Sequence, residues 1–463
     1  MNRIIYAVLF FVALLLLVRC SGELRSGLRP EVGEERSGGE GTILDASPNA
    51  FSFQVSNLTD EQGLFFFTGN SLFNQNWVTA PASATARDGL GPLFNAKSCS
   101  GCHFKDGRGK HPTTAGEINH GLLLRLSVGN DANGAPLPDP NYGGQLQDQS
   151  ILSVQHEAAF EISYENIPGT YPDGTAYLLR KPIYTLKNLT QGKLSATQIS
   201  PRIANQIIGL GLLEALEERT LLDLVEQQAA IDDGVTGKAN YVWNIEAQKM
   251  TIGRFGWKAN QPTLRQQVAS AFAGDIGITS SLFPEDDAPT HSDYATQPNG
   301  GEPEITDENL GRVTLYSSTL AVPGRRDWDD KEVLAGKQLF ESINCNSCHV
   351  QKLTTGKHPQ FDALSYQTIR PYTDLLLHDM GEALADNSPE YLATGREWRT
   401  PPLWGIGLFD IVNGHTNYLH DGRARNLEEA ILWHGGEAEL SKQAFMQLNQ
   451  AERNQLIQFL NSL

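Results

Sequence analysis

Two five-residue strings carry the plainest chemistry in the chain, Cys99-Ser100-Gly101-Cys102-His103 and Cys345-Asn346-Ser347-Cys348-His349. Two thiols at this spacing match the two vinyl groups on one edge of a porphyrin, and the histidine that follows sets its imidazole beneath the iron. Cys-x-x-Cys-His is therefore the attachment signature of a c-type haem. A redox dithiol, half of a zinc site or a plain disulfide would also use paired cysteines. None of these needs the histidine, and both copies have it. The expectation is two covalently bound haems, held by Cys99 and Cys102 and by Cys345 and Cys348, with His103 and His349 on the irons. Each motif also has a Leu-Phe pair upstream, Leu93-Phe94 and Leu339-Phe340, with the phenylalanine five residues before the first cysteine. Such a pair is expected to close a short helix packed on the haem.

The far side of each iron decides between electron transfer and chemistry, because a closed six-coordinate haem passes electrons and an open one binds a substrate. After Met1 only Met250, Met380 and Met446 offer a sulfur ligand. His434 is the best imidazole. Asn426 followed by Leu427-Glu428-Glu429 reads as a helix N-cap, and Gly435-Gly436 as the stop. Leu427, Ala430, Ile431 and His434 then share one apolar face. A histidine placed to suit the helix C-terminus is the plainer alternative. His378 and Met380, in LLLHDMG, either compete for a ligand position or pack behind the leucines. His420, in a Gly-containing turn, is a candidate for a haem edge. His111 and His120 follow the first motif closely, His111 in a loop that favours exposure.

For acid–base work Glu214 stands out, on a stripe with Ile203, Ile207 and Leu210. On an open haem face it could carry protons during O–O cleavage; buried, it could pair with Arg125 or Arg254. Trp257, in GRFGWKA, is the indole to place beside a haem or in the core.

These residues need a scaffold. At roughly 150 residues per domain, 463 residues allow two large domains. A hydrophobic share of 40% against 19% charged residues excludes a mainly disordered chain. A net charge of −18 argues against nucleic-acid binding and for a basic protein partner, if any. The motifs lie 246 residues apart, and a polar Pro- and Gly-rich break spans residues 284–304. The expected fold is mainly α: two cytochrome c-like haem domains with long loops, residues 51–325 with a large insertion and residues 326–463. Residues 127–190 read as irregular and 199–230 as helical.

The apolar run Ile4–Val18 reaches about 22 Å as a helix, short of the ~30 Å hydrocarbon core, and reads as a signal peptide within residues 1–20. Leu17-Val18-Arg19-Cys20 resembles a lipobox with Cys20 as the lipidated residue, although Arg19 departs from the small residue usual there. An uncleaved signal anchor is the alternative. Residues 21–50 read as a flexible tether. Either way the chain is expected on the periplasmic side of a bacterial cell envelope, tethered to the membrane through its N-terminus.

The strings CSGCHFKDGRG, YGGQLQ, IIGLGLLEAL, GRFGWKA, LAVPGRR, PYTDLLLHDMG, WRTPPLWGIG and YLHDGRARNLEEAILWHGGEA resemble those of the di-haem oxidoreductase family, related to the bacterial di-haem cytochrome c peroxidases. The resemblance implies that electrons from a small redox protein or a quinol-linked cytochrome enter at the C-terminal haem. They pass to the N-terminal haem, where hydrogen peroxide is reduced. In the peroxidases the relay haem takes a methionine fourteen residues after the histidine of a His-x-Gly turn. Here His434 stands fourteen after His420, implying a His349/His434 pair and a lower potential. Glu214 is the nearest match to the peroxidatic glutamate, and calcium between the domains is implied by the same relatives. A non-catalytic electron-transfer cytochrome is the alternative function, and long-range oxidation of a protein side chain a third.

Overall fold

A computed structural model describes residues 29–112, 117, 119, 121–287, 294 and 296–463. The apolar run, Cys20 and His120 lie outside the described residues. Among those described, no helix is long and apolar enough to cross a membrane.

The architecture is mixed α and β, 31% helix and 18% strand, and not mainly α. Among the described residues the strands form six separate antiparallel pairs. The longest pairs Ala159–Thr170 with Ala176–Lys187, inside the stretch expected to be irregular. Its prolines masked it: Pro168 and Pro182 are tolerated because both strands of a two-stranded ribbon are edges. The alternation Phe160, Ile162, Tyr164 on one face was the legible signal, and Asp173-Gly174, with Gly174 at φ +88°, turns the chain at the tip. The second correction concerns residues 199–230. Gln198–Ile203 is a strand paired with Leu122–Ser127, and helix begins only at Leu210–Glu214 and Glu218–Ile231.

Two helix pairs support the cysteine motifs. Asp60–Asn74, closed by a Thr59/Gln62 capping box, packs on Asp307–Thr319, and a Cβ at Gly69 would collide with the Arg312 carbonyl. Lys331–Ser342 packs on Gln450–Ser462 in the same way, with Gly336 against the Gln455 carbonyl. The Leu-Phe frame holds in one copy only. Leu339-Phe340 ends a helix, whereas Leu93-Phe94 is a short strand paired with Gln149–Ser150, because Gly91-Pro92 just before it breaks helical structure. The N-terminal motif takes its aromatic from another element: Phe73 lies 6.2 Å from the His103 ring, as Phe340 lies 6.2 Å from His349.

One hydrophobic core runs from Phe51 and Phe66 through Tyr316 and Trp404 to Phe459 and Leu463. Residues 29–50 do not behave as the expected tether. Glu34 is fully buried and pairs with Arg325 and Lys337, Glu31 pairs with Lys352 and Arg370, and Ala50 joins the core.

Candidate functional site

Each cysteine motif opens into its own cavity, and the two cavities share a wall. The N-terminal one is lined by Cys99, Cys102 and His103, by residues 202–207, and by Leu264, Gln267, Val268 and Ala271 from one face of helix Leu264–Ala271. The C-terminal one is lined by Cys345, Cys348 and His349 and by Leu427, Ala430, Ile431 and His434. Gln206, Trp257, Arg399 and Pro402 line both. The Trp257 indole N–H donates to the Ile203 carbonyl at 2.8 Å, which fixes the ring in the partition.

The three imidazoles are prepared alike. His103 Nδ1 donates to the Asn205 carbonyl at 2.6 Å, His349 Nδ1 to that of Tyr372 at 3.0 Å and His434 Nδ1 to that of Ala430 at 2.7 Å. A carbonyl can only accept, so each proton sits on Nδ1 and each Nε2 keeps its lone pair, the arrangement that orients a metal-ligating histidine. Burial lowers the pKa of all three; for His349, burial and then nearby His434 bring it to about 4. They are neutral at physiological pH, as an iron ligand must be. Burial holds the four thiols protonated, Cys99 and Cys345 with pKa about 12. They are poor nucleophiles, unlike a redox dithiol with a depressed pKa. Paired thiols beside an imidazole with a free Nε2, at the edge of a cavity, fit a haem in each.

The helix that carries His434 forms as its sequence suggests. Asn426 accepts the Glu429 N–H at 2.8 Å, and helix Leu427–Leu432 turns its apolar face into the cavity. His378 lies there too, but Asp374 at 2.8 Å and Glu437 at 2.7 Å occupy both its nitrogens. Burial opposes its charge, yet the two carboxylates hold it protonated well above the usual imidazole range. Among the described residues Cys348, Asp374 and His378 come close enough to share a metal ion. An imidazolium has no lone pair to give, and thiol and imidazole do not suit calcium, which takes oxygen ligands. His420 stacks on Trp398 at 3.9 Å and meets Trp257 edge-on at 6.4 Å; it borders the C-terminal cavity. His111 is buried, with Nδ1 donating to the Pro112 carbonyl.

A family model described as "Di-haem oxidoreductase, putative peroxidase" matches residues 31–463. The chain belongs to the di-haem oxidoreductase family. No curated protein and no solved structure matches it. Membership of a di-haem family implies haem cofactors.

Glu214 is not among the residues lining the N-terminal cavity of this di-haem oxidoreductase. Its Oε1 accepts the Leu264 N–H at 2.7 Å and its Oε2 lies 3.3 Å from His358 Nε2, so it caps the helix that supplies Gln267. The carboxyl group that does line the cavity is Asp275, in the π-turn Phe272–Ile276. Burial raises its pKa, while Gln145 (2.8 Å) and Arg125 oppose the shift. No short-range pattern marked Asp275 or Gln267: helix periodicity shows that a side chain is buried but not which cavity it meets.

Proposed function

We propose that this di-haem oxidoreductase reduces hydrogen peroxide to water in the N-terminal cavity, with electrons entering through the C-terminal one. One observation carries the reading. The C-terminal cavity holds His349 and His434, each with Nδ1 on a backbone carbonyl and Nε2 free, besides His378 between two carboxylates and His420 stacked on Trp398, whereas His103 is the sole imidazole among the described residues of the N-terminal cavity, where those residues include no methionine, lysine or tyrosine either. A cavity that offers two imidazole ligands would suit a haem that passes electrons, and one that offers a single imidazole would leave room for a substrate. Bound haems supply the redox-active irons, and thioether bonds from Cys99, Cys102, Cys345 and Cys348 would hold them.

The protein's own groups do the rest. The Asn205, Tyr372 and Ala430 carbonyls keep the three imidazoles oriented. Trp257 stands in the partition between donor and acceptor sites. The overall change takes up two electrons and two protons per peroxide and releases two waters; Asp275 is the cavity group able to hold and release a proton, and the Gln267 amide is placed to hydrogen-bond a small oxygen ligand. Glu214 acts as a positioning residue for the Gln267 helix. The protein is proposed to work on the periplasmic side of a bacterial envelope, lipid-tethered through Cys20, with a small redox protein or a quinol-linked cytochrome as donor.

The test is anaerobic addition of hydrogen peroxide to the fully reduced protein, followed by its haem absorption. Rapid reoxidation of both haems by one equivalent supports the peroxidase reading. Haems that stay reduced for minutes would overturn it and leave an electron carrier.

A further inference from the structure

The segment 31–43 does more than cover the core, because its fastenings converge on the elements that hold His349. The Arg370 N–H donates to the Ser37 carbonyl at 2.8 Å, and Gln367 Oε1 accepts the Glu40 N–H at 2.9 Å. Further along, the Arg325 N–H donates to the Glu35 carbonyl at 2.9 Å and the Gly324 N–H to that of Ile43 at 2.8 Å. The approach is close: at Gly39, with φ +70°, a Cβ would meet Gln367 Oε1 at 2.7 Å. The segment is a strap laid across the part of the fold that carries the second cysteine motif.

Two carboxylates of the strap meet four cations. Glu34, fully buried, takes Arg325 and, at 2.7 Å, Lys337; Glu31 takes Lys352 at 2.6 Å and Arg370 at 3.2 Å. Among the described residues these are the only ion pairs that the four cations make. Burial opposes the charge of Glu34, but Lys337 and Arg325 hold its carboxyl below the ordinary value, so it is an anion at neutral pH. Three of the cations stand behind neighbours of His349. Lys337 lies one turn before Phe340 on helix Lys331–Ser342, and the Phe340 ring is 6.2 Å from the imidazole. Arg325 lies over Phe459 at 5.0 Å, and Phe459 is 5.1 Å from Phe340. Arg370 comes two residues before Tyr372, whose carbonyl accepts the His349 Nδ1 proton at 3.0 Å. Arg325 and Glu34 both act on the buried Tyr372 phenol.

We propose that Glu34 and Glu31 are positioning residues for the C-terminal site: the strap keeps the Tyr372 carbonyl on His349 and sets two anions behind it, and so lowers the midpoint potential of the haem bound there. Two effects act in the same direction. An imidazole held on a carbonyl is the more basic ligand and favours the oxidised iron. A nearby carboxylate also favours the oxidised iron, because that state carries one more positive charge. A lower potential makes the C-terminal haem the better donor toward the N-terminal one. This inference rests on the haem reading above.

The experiment is spectroelectrochemical titration of the haem-loaded protein and its variants, after the covalent haems are counted by pyridine haemochrome. The C-terminal haem is identified as the one whose absorption shifts when Cys345→Ala removes one thioether bond. Glu34→Gln should shift the reduction equilibrium of that haem about tenfold toward the reduced form, about 59 mV for a one-electron couple. Glu31→Gln should shift it about threefold in the same direction, and the N-terminal midpoint should stay in place in both. An unmoved or lowered C-terminal midpoint in either variant, or an N-terminal midpoint that moves as far, overturns the proposal. A wild-type protein without two covalent haems overturns the cofactor reading instead. Should Glu34→Gln fail to fold, Glu31→Gln decides alone, since that side chain is 38% exposed and its loss frees only Lys352 and Arg370.

Discussion

Replacing Glu214 by glutamine keeps the shape of the side chain and removes its charge, and the structure sets the size of the response. In Glu214→Gln the new amide oxygen still accepts the Leu264 N–H that Oε1 now holds at 2.7 Å, so the first turn of helix Leu264–Ala271 keeps its cap. What is lost is the attraction of a carboxylate to the helix N-terminus, about 0.3–1 kcal/mol; the 3.3 Å approach to His358 Nε2 is not a hydrogen bond and adds little. Glu214→Gln should thus destabilise the protein by no more than about 1 kcal/mol in urea unfolding. Because Gln267 stays where the helix puts it, stopped-flow reoxidation by peroxide should slow by no more than about threefold. A general acid–base group contributes about 10²–10⁴-fold. A hundredfold slower reoxidation, at wild-type stability and haem content, would refute the capping role and return Glu214 to proton transfer.

Asp275→Asn should give the converse result, reoxidation slowed about a hundredfold with both haems retained, measured in the same stopped-flow assay. His434→Ala should open the C-terminal iron: carbon monoxide titration of the reduced protein should count two binding irons in the variant against one in wild type. Glu157 is fully buried, with Oε2 accepting the Gln147 N–H at 2.6 Å and Oε1 unpartnered, and burial raises its pKa from 4.5 to about 8. The folded protein therefore keeps a proton that the unfolded chain has released. Its stability falls as pH rises from 4.5 to 8, by up to about 1.4 kcal/mol per pH unit from this group. Glu157→Gln should remove that slope, so that in urea unfolding the variant gains on wild type between pH 5 and 8.

The two Cys-x-x-Cys-His strings stand out because the chemistry they suit is local. Two thioether bonds and one iron bond to a single rigid ring require thiol, thiol and imidazole within five consecutive residues, and no tertiary context is needed to see it. His434 was legible through helix periodicity, which predicts that residues on one face meet one neighbour; Leu427, Ala430, Ile431 and His434 do line one cavity. The fold class was misread where prolines and glycines stood for loops, since a two-stranded ribbon such as Ala159–Lys187 has free edges that accept them. Glu214 shows the limit of periodicity: the side chain turns inward, but toward Leu264 and His358.

By itself, then, the sequence determined two strings of paired thiols followed by an imidazole and one helix that presents a further imidazole. Only tertiary structure decided that Phe73 and not Phe94 lies against His103, that Asp275 and Gln267 reach the N-terminal cavity, and that Trp257 and Arg399 stand between the two. Arg108 and Arg399 lie far apart along the chain yet border one cavity. Bonds to a cofactor constrain neighbours in sequence, whereas field, burial and partition depend on neighbours in space.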